Sequence, residues 1–161
     1  RIEDSEGNLL AQFSARSNEV ISEETSYKMI DMMRAVVNEG TAIRLRNGGT
    51  YPIISKMDCG AKTGTTDNHS DAWFVGYTPD LVAGCWVGGE DRDIHFDTME
   101  HGQGAHAALP LWGIFMEQVY ADSLNLGYSP SARFEMPENY DPCAEYPSAA
   151  EEPDSYIIER F

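Results

Sequence analysis

Two apolar runs separated by a three-residue turn constrain the fold of this chain more than any other feature. They are Asp71-Ala72-Trp73-Phe74-Val75-Gly76-Tyr77 and Leu81-Val82-Ala83-Gly84-Cys85-Trp86-Val87-Gly88, with Thr78-Pro79-Asp80 between them. Aromatic and β-branched residues occur in both, and the proline-containing turn predicts that they pair as neighbouring strands. A third strand-like run precedes them: Ile53-Ile54 and Met57-Asp58-Cys59-Gly60-Ala61 form an apolar approach to Lys62-Thr63-Gly64-Thr65-Thr66. A strand carrying a cation, hydroxyls and a glycine presents backbone edge and side chains together to a substrate with a carbonyl and a carboxylate, and the glycine keeps that edge open.

Helices are expected on either side. Ser22 is a candidate N-cap, Glu23 and Glu24 suit the positive first turn, and Tyr27, Ile30, Met33 and Val37 make an apolar stripe that stops at Gly40. Met29, Met32 and Met33 read as core filler. Ala105 to Tyr120 reads as a second helix with Pro110 in its first turns and Leu111, Trp112, Phe115, Met116, Val119 and Tyr120 on its buried side. At the start, Arg1-Ile2-Glu3 and Leu9 to Phe13 flank a Ser5-Glu6-Gly7-Asn8 turn and predict a hairpin. The fold class is α/β (α+β): a mostly antiparallel sheet flanked by helices. The aromatics Trp73, Phe74, Trp86 and Trp112 are expected in its core, the alternative being a sugar groove.

The chain has 161 residues, enough for the core of one domain but not two. No run of about 18 apolar residues and no basic-then-apolar leader is visible, so no membrane-crossing or export segment is expected within it. Net charge is −16, which excludes nucleic acid as a partner, because phosphate binding needs clustered Lys and Arg. Much of the excess lies in residues 133–161, where Glu135, Glu138, Asp141, Glu145, Glu151, Glu152 and Asp154 mingle with four prolines. Such a tail is expected to be mobile or loosely draped. Residues 1–132 are the expected folded domain.

Other chemistries are weaker. A phosphate-binding loop needs glycines where this chain has Lys56 and Ala61. His69, Asp71, His95, Asp97, His101 and His106 look dense in metal ligands, but their spacings match neither one helix face nor a compact Cys/His clip. They read as solvated loop residues; no metal or other cofactor is expected. Cys59 and Cys85 sit in apolar runs and are expected as buried thiols, with a disulfide between them as the alternative in an oxidising compartment. Asp71 is expected to fix the loop after Thr66 rather than to act on substrate.

Lys62-Thr63-Gly64-Thr65-Thr66, together with Asp71-Ala72-Trp73-Phe74-Val75-Gly76-Tyr77-Thr78-Pro79, resembles the transpeptidase domain of bifunctional (class A) penicillin-binding proteins. Val36-Val37-Asn38-Glu39-Gly40-Thr41-Ala42 is similar to the helix and Gly-Thr turn before the family's signature strand. Trp86-Val87-Gly88-Gly89 and Ala108-Leu109-Pro110-Leu111-Trp112 resemble its last strand and closing helix. The resemblance covers about the first three quarters of the chain, and the ordered series is more specific than any single motif. Two departures stand out. No Ser-x-x-Lys occurs anywhere, and the one Ser-x-Asn, Ser123-Leu124-Asn125, follows the signature strand, where it reads as a helix end. Ala61 replaces a glycine usual before the lysine, a methyl group that would narrow the approach to the strand.

The resemblance implies a C-terminal piece of a peptidoglycan cross-linking D-Ala-D-Ala transpeptidase, inactive alone. The nucleophilic serine, a glycosyltransferase domain and an inner-membrane anchor would lie upstream, and the domain would face the periplasm. It assigns catalytic roles to Lys62 and Thr65, and binding of stem peptides or β-lactams to Lys62, Thr63, Gly64, Thr65 and Thr66. The backbone N–H of Thr65 is the choice for half of the oxyanion hole. A non-catalytic wall-binding or assembly module is the alternative. Without the missing portion the sheet would expose apolar surface, so self-association or marginal stability is expected.

Overall fold

The structure, a computed structural model, describes residues 2–13, 18, 20–138 and 140–142. Its opening hairpin pairs β1 (Ile2–Glu3) with β2 (Leu9–Ala11). The turn between them is held by Asp4, whose carboxylate accepts from the backbone N–H of Glu6 and Asn8, with Gly7 at a positive φ of 85°. Arg1 and Cys143 lie outside the described residues.

Helix α1 (Glu23–Asn38) begins where the capping signal places it: Ser22 Oγ accepts from the Thr25 N–H at 3.2 Å. It ends at Gly40, where a side chain would run into the Val36 backbone at 2.8 Å. Tyr27 and Val37 are buried, and Ile30 and Met33 are partly buried. Met29 and Met32 correct the core-filler reading, since both lie exposed.

Between α1 and the sheet the chain makes two 3-10 turns, Ile43–Arg46 and Ile54–Lys56. Their peptide groups are paired by charged side chains: Glu117 accepts from the N–H of Ile53 and Ile54 at 2.9 and 2.7 Å. Arg46 donates to the carbonyls of Ile54, Ser55 and Met57. The apolar approach is therefore buried but not yet strand; the ladder begins at Gly60.

Strands β3 (Gly60–Thr65), β4 (Asp71–Tyr77) and β5 (Val82–Gly88) form an antiparallel sheet in that order, with Thr63 opposite Phe74 and Phe74 opposite Cys85. Alternation divides its side chains. Ala61, Thr63, Thr65, Ala72, Phe74, Gly76, Ala83, Cys85 and Val87 share one face; Lys62, Gly64, Trp73, Val75, Val82 and Trp86 share the other.

The first face is covered by the turn α3 (Gly104–Ala107) and helix α4 (Leu109–Ala121), with the turn α2 (Met99–Gly102) packed on α3 and α5 (Ser123–Leu126) closing the run. The expected single helix from Ala105 to Tyr120 is interrupted at Ala108, because Pro110 stands at the start of α4 with no N–H to continue the ladder. Trp112 lies fully buried against Gly76, where any side chain would meet its indole at 2.6 Å, and its Nε1 donates to the carbonyls of Gly76 and Ala83. Met116 and Tyr120 are buried as expected, but Leu111 and Phe115 are exposed. Ser123-Leu124-Asn125 falls in α5, at a helix end. Phe134 packs edge-on to Tyr77, and Tyr140 to Tyr27, so these two rings lie against the body of the domain.

Candidate active site

Strand β3 is the edge of the sheet, and no other strand among the described residues pairs with its free side. Its hydrogen-bond phase follows from one contact: the Thr66 N–H donates to the Asp71 carbonyl at 3.1 Å. In an antiparallel ladder bonded and non-bonded pairs alternate, so Gly64/Trp73 and Lys62/Val75 are the bonded pairs. The N–H and C=O of Thr63 and Thr65 consequently turn away from β4, toward the open edge. Lys62 confirms the direction, because its exposed ammonium reaches the Thr63 carbonyl at 2.8 Å.

The hydroxyls of Thr63 and Thr65 lie two residues apart on the same face. Thr63 meets the Thr41 hydroxyl at 3.2 Å, from the turn that ends α1. Thr65 Oγ1 accepts from the Gly104 N–H at 3.0 Å. Gly64 stands between them without a side chain, its backbone paired with Trp73. The loop beyond is fixed by Asp71, as its position suggested: its carboxylate accepts from Trp86 Nε1 at 3.0 Å and from the Ser70 hydroxyl at 3.1 Å, while its own N–H donates to Thr66 Oγ1 at 2.9 Å. The result is a short strand whose cation, two hydroxyls and two outward N–H groups are all accessible along one edge. Such an edge can take an extended peptide or a rigid amide by main-chain pairing while its side chains bind a carboxylate.

A family model described as the penicillin-binding protein transpeptidase domain matches residues 7–85. Penicillin-binding protein 1A of Aquifex aeolicus is 38% identical over 119 residues, 74% of this chain and 15% of that protein. The corresponding protein of Neisseria lactamica is 34% identical over 121 residues, 72% of this chain and 14% of that protein. A 2.6 Å crystal structure of penicillin-binding protein 1A from Haemophilus influenzae superposes with a TM-score of 0.59 at 26% identity, covering 74% of this chain and 17% of that one. The chain belongs to the penicillin-binding transpeptidase family. It spans about 15% of the length of the curated relatives it matches.

Within that family frame, all five residues from Lys62 to Thr66 lie in or directly beside one accessible strand, as the motif implied. Ala61 corrects an expectation: its methyl group is fully buried on the core face and does not narrow the approach. Trp73 and Trp86 correct another. They sit on the uncovered face, 48% and 45% exposed, with ring centroids 6.2 Å apart; of the four aromatics only Phe74 and Trp112 belong to the core.

Three of the four histidines are engaged locally: His101 with Thr98 Oγ1, His106 with the Glu100 carbonyl and Gln103, and His95 with the Phe96 carbonyl. Among the described residues no three His, Cys, Asp or Glu side chains come together in a metal-binding group. Cys59 and Cys85 are free thiols, and burial pushes the Cys59 thiol above its ordinary range, which opposes a nucleophilic role. No helix among the described residues is long and apolar enough to cross a membrane. Gly104 is the residue at this site that the motifs leave out; its signal is a glycine two residues after Gly102, just before the stretch that forms α4.

Proposed function

We propose that residues 1–132 are the C-terminal portion of a serine-type D-Ala-D-Ala transpeptidase domain, followed by an acidic tail over 133–161, and that this chain supplies the docking strand of a split active site. A serine from the upstream part of the same protein attacks the penultimate D-alanine carbonyl of a peptidoglycan stem peptide and expels the terminal D-alanine. An amine of a neighbouring stem then takes the acyl group and releases the serine.

Lys62 supplies positive charge near the substrate carboxylate and assists proton transfer toward the leaving group. Thr63 and Thr65 donate hydroxyl hydrogen bonds to that carboxylate, and the outward N–H of Thr65 serves as one half of the oxyanion hole. Gly64 leaves room for the substrate backbone, and Thr66 anchors the end of the strand. β-Lactams acylate the same serine because their amide and carboxylate imitate the dipeptide. The parent protein would also carry a glycosyltransferase domain and an inner-membrane anchor, with this portion in the periplasm. The observation that carries the proposal is the outward phase of Thr63 and Thr65 on an open edge.

A second reading, a wall-binding module without catalysis, has one observation in its favour: the exposed Trp73–Trp86 pair beside the strand. Intact-mass spectrometry after benzylpenicillin treatment separates the two. The 161-residue chain is expected to take no adduct, and the protein extended upstream a single one. In the extended protein Lys62→Ala is expected to slow acylation by about tenfold or more, the usual scale for a hydrogen bond to a charged group. Absence of an adduct on the extended protein would favour the wall-binding module.

A further inference from the structure

Gly104 meets the docking strand from the side opposite Lys62. Its N–H donates to Thr65 Oγ1 at 3.0 Å. A Cβ there would collide with the carbonyl oxygen of Trp73 and lie 2.6 Å from that of Gly64, the two residues paired across β3 and β4. Only a residue without a side chain brings its backbone this close to the strand pair. The approach is itself fixed by Gly102, where a Cβ would meet the Cβ atoms of His69 and Phe96 at 2.6 and 2.9 Å. The loop after β3 and the turn before α4 are thus packed together so that one particular N–H faces one particular hydroxyl.

That contact has a chemical consequence. A threonine hydroxyl has one proton and two acceptor lone pairs. With one lone pair held by Gly104, the proton cannot point at Gly104, which leaves the open edge, where the substrate carboxylate would sit, among its remaining directions. We infer that Gly104 is a positioning residue: it holds the Thr65 hydroxyl in the donor orientation that a carboxylate needs, without touching substrate. This rests on the reading of β3 as the docking strand.

The test uses the full-length parent protein and two forms of one β-lactam, benzylpenicillin and its methyl ester, which lacks the carboxylate charge. Gly104→Ala, whose Cβ must displace the Gly64 and Trp73 carbonyls, is expected to slow acylation by the free acid about tenfold more than acylation by the ester, the scale of a hydrogen bond to a charged group. In a Thr65→Val background the same substitution is expected to add nothing. Equal losses for acid and ester, or additive losses in the double variant, would make Gly104 mere scaffolding and overturn the inference.

If Thr65→Val lowers the acid-to-ester preference while Gly104→Ala leaves it intact, only the inference falls. If Thr65→Val leaves the preference intact, the docking-strand reading falls with it. Should Gly104→Ala fail to fold, hydrogen exchange at the Gly104 amide decides. Thr65→Val is expected to speed it several-fold and Thr65→Ser to keep it slow; equal exchange in both would overturn the inference.

Discussion

The two faces of the sheet differ in how completely the chain covers them. One face carries Phe74, Ala72 and Ala61, fully closed by Trp112, Leu109 and Met116. The other carries Trp73, Trp86, Val75 and Val82 in the open, Val82 at 69% exposure, with α1 covering only the end around Gly60, Met33 and Tyr77. The same strands with the same alternation therefore make a core on one side and an uncovered apolar surface on the other. The covered side secures Thr65 through Gly104, and the open side secures the loop through the bond from Trp86 Nε1 to Asp71.

The largest break in that contrast should come from the covered face. Trp112→Ala removes a fully buried ring and both bonds from its Nε1, and a loss of about 3–5 kcal/mol is expected, measured by urea unfolding. Glu117→Gln comes next. It keeps the shape but weakens the carboxylate's bonds to the N–H groups of Ile53 and Ile54, for a loss of about 1–2 kcal/mol in the same assay. The smallest change in stability should come from the open face: the pair Val75→Thr and Val82→Thr is expected to shift unfolding by about 0.5 kcal/mol or less per site. It should also reduce self-association in light scattering. A large loss of stability there, or unchanged association, would mean that the two faces are less different than their exposure indicates.

Much of the fold was legible because local chemistry and tertiary packing agree. The Ser22 cap, the stop at Gly40 and the strands on either side of Thr78-Pro79-Asp80 each follow from residues a few positions apart. What misled was residue type where burial depends on a distant partner. Trp73 and Trp86 are as apolar as Phe74, and Leu111 and Phe115 as apolar as Trp112. Alternation and helical phase state which residues share a face, not which face is covered. The site divided in the same way. Lys62 to Thr66 could be picked out from their composition and order, whereas Gly104 lies 39 residues from Thr65 and is identified only by a backbone contact.

The bond from Thr66 to Asp71 also acts as a ruler. Four residues, Asp67 to Ser70, separate its ends, and their number sets the phase of the whole ladder. Inserting or deleting one of them would shift the pairing of β3 against β4 by a single step, turning the N–H groups of Thr63 and Thr65 inward and those of Lys62 and Gly64 outward. The motif would still read Lys-Thr-Gly-Thr, every residue would be present, and the edge would offer its amides at the wrong positions. Loop length here is thus under tighter constraint than loop composition, and substitutions at Asp67 should be tolerated where a one-residue change in length is not.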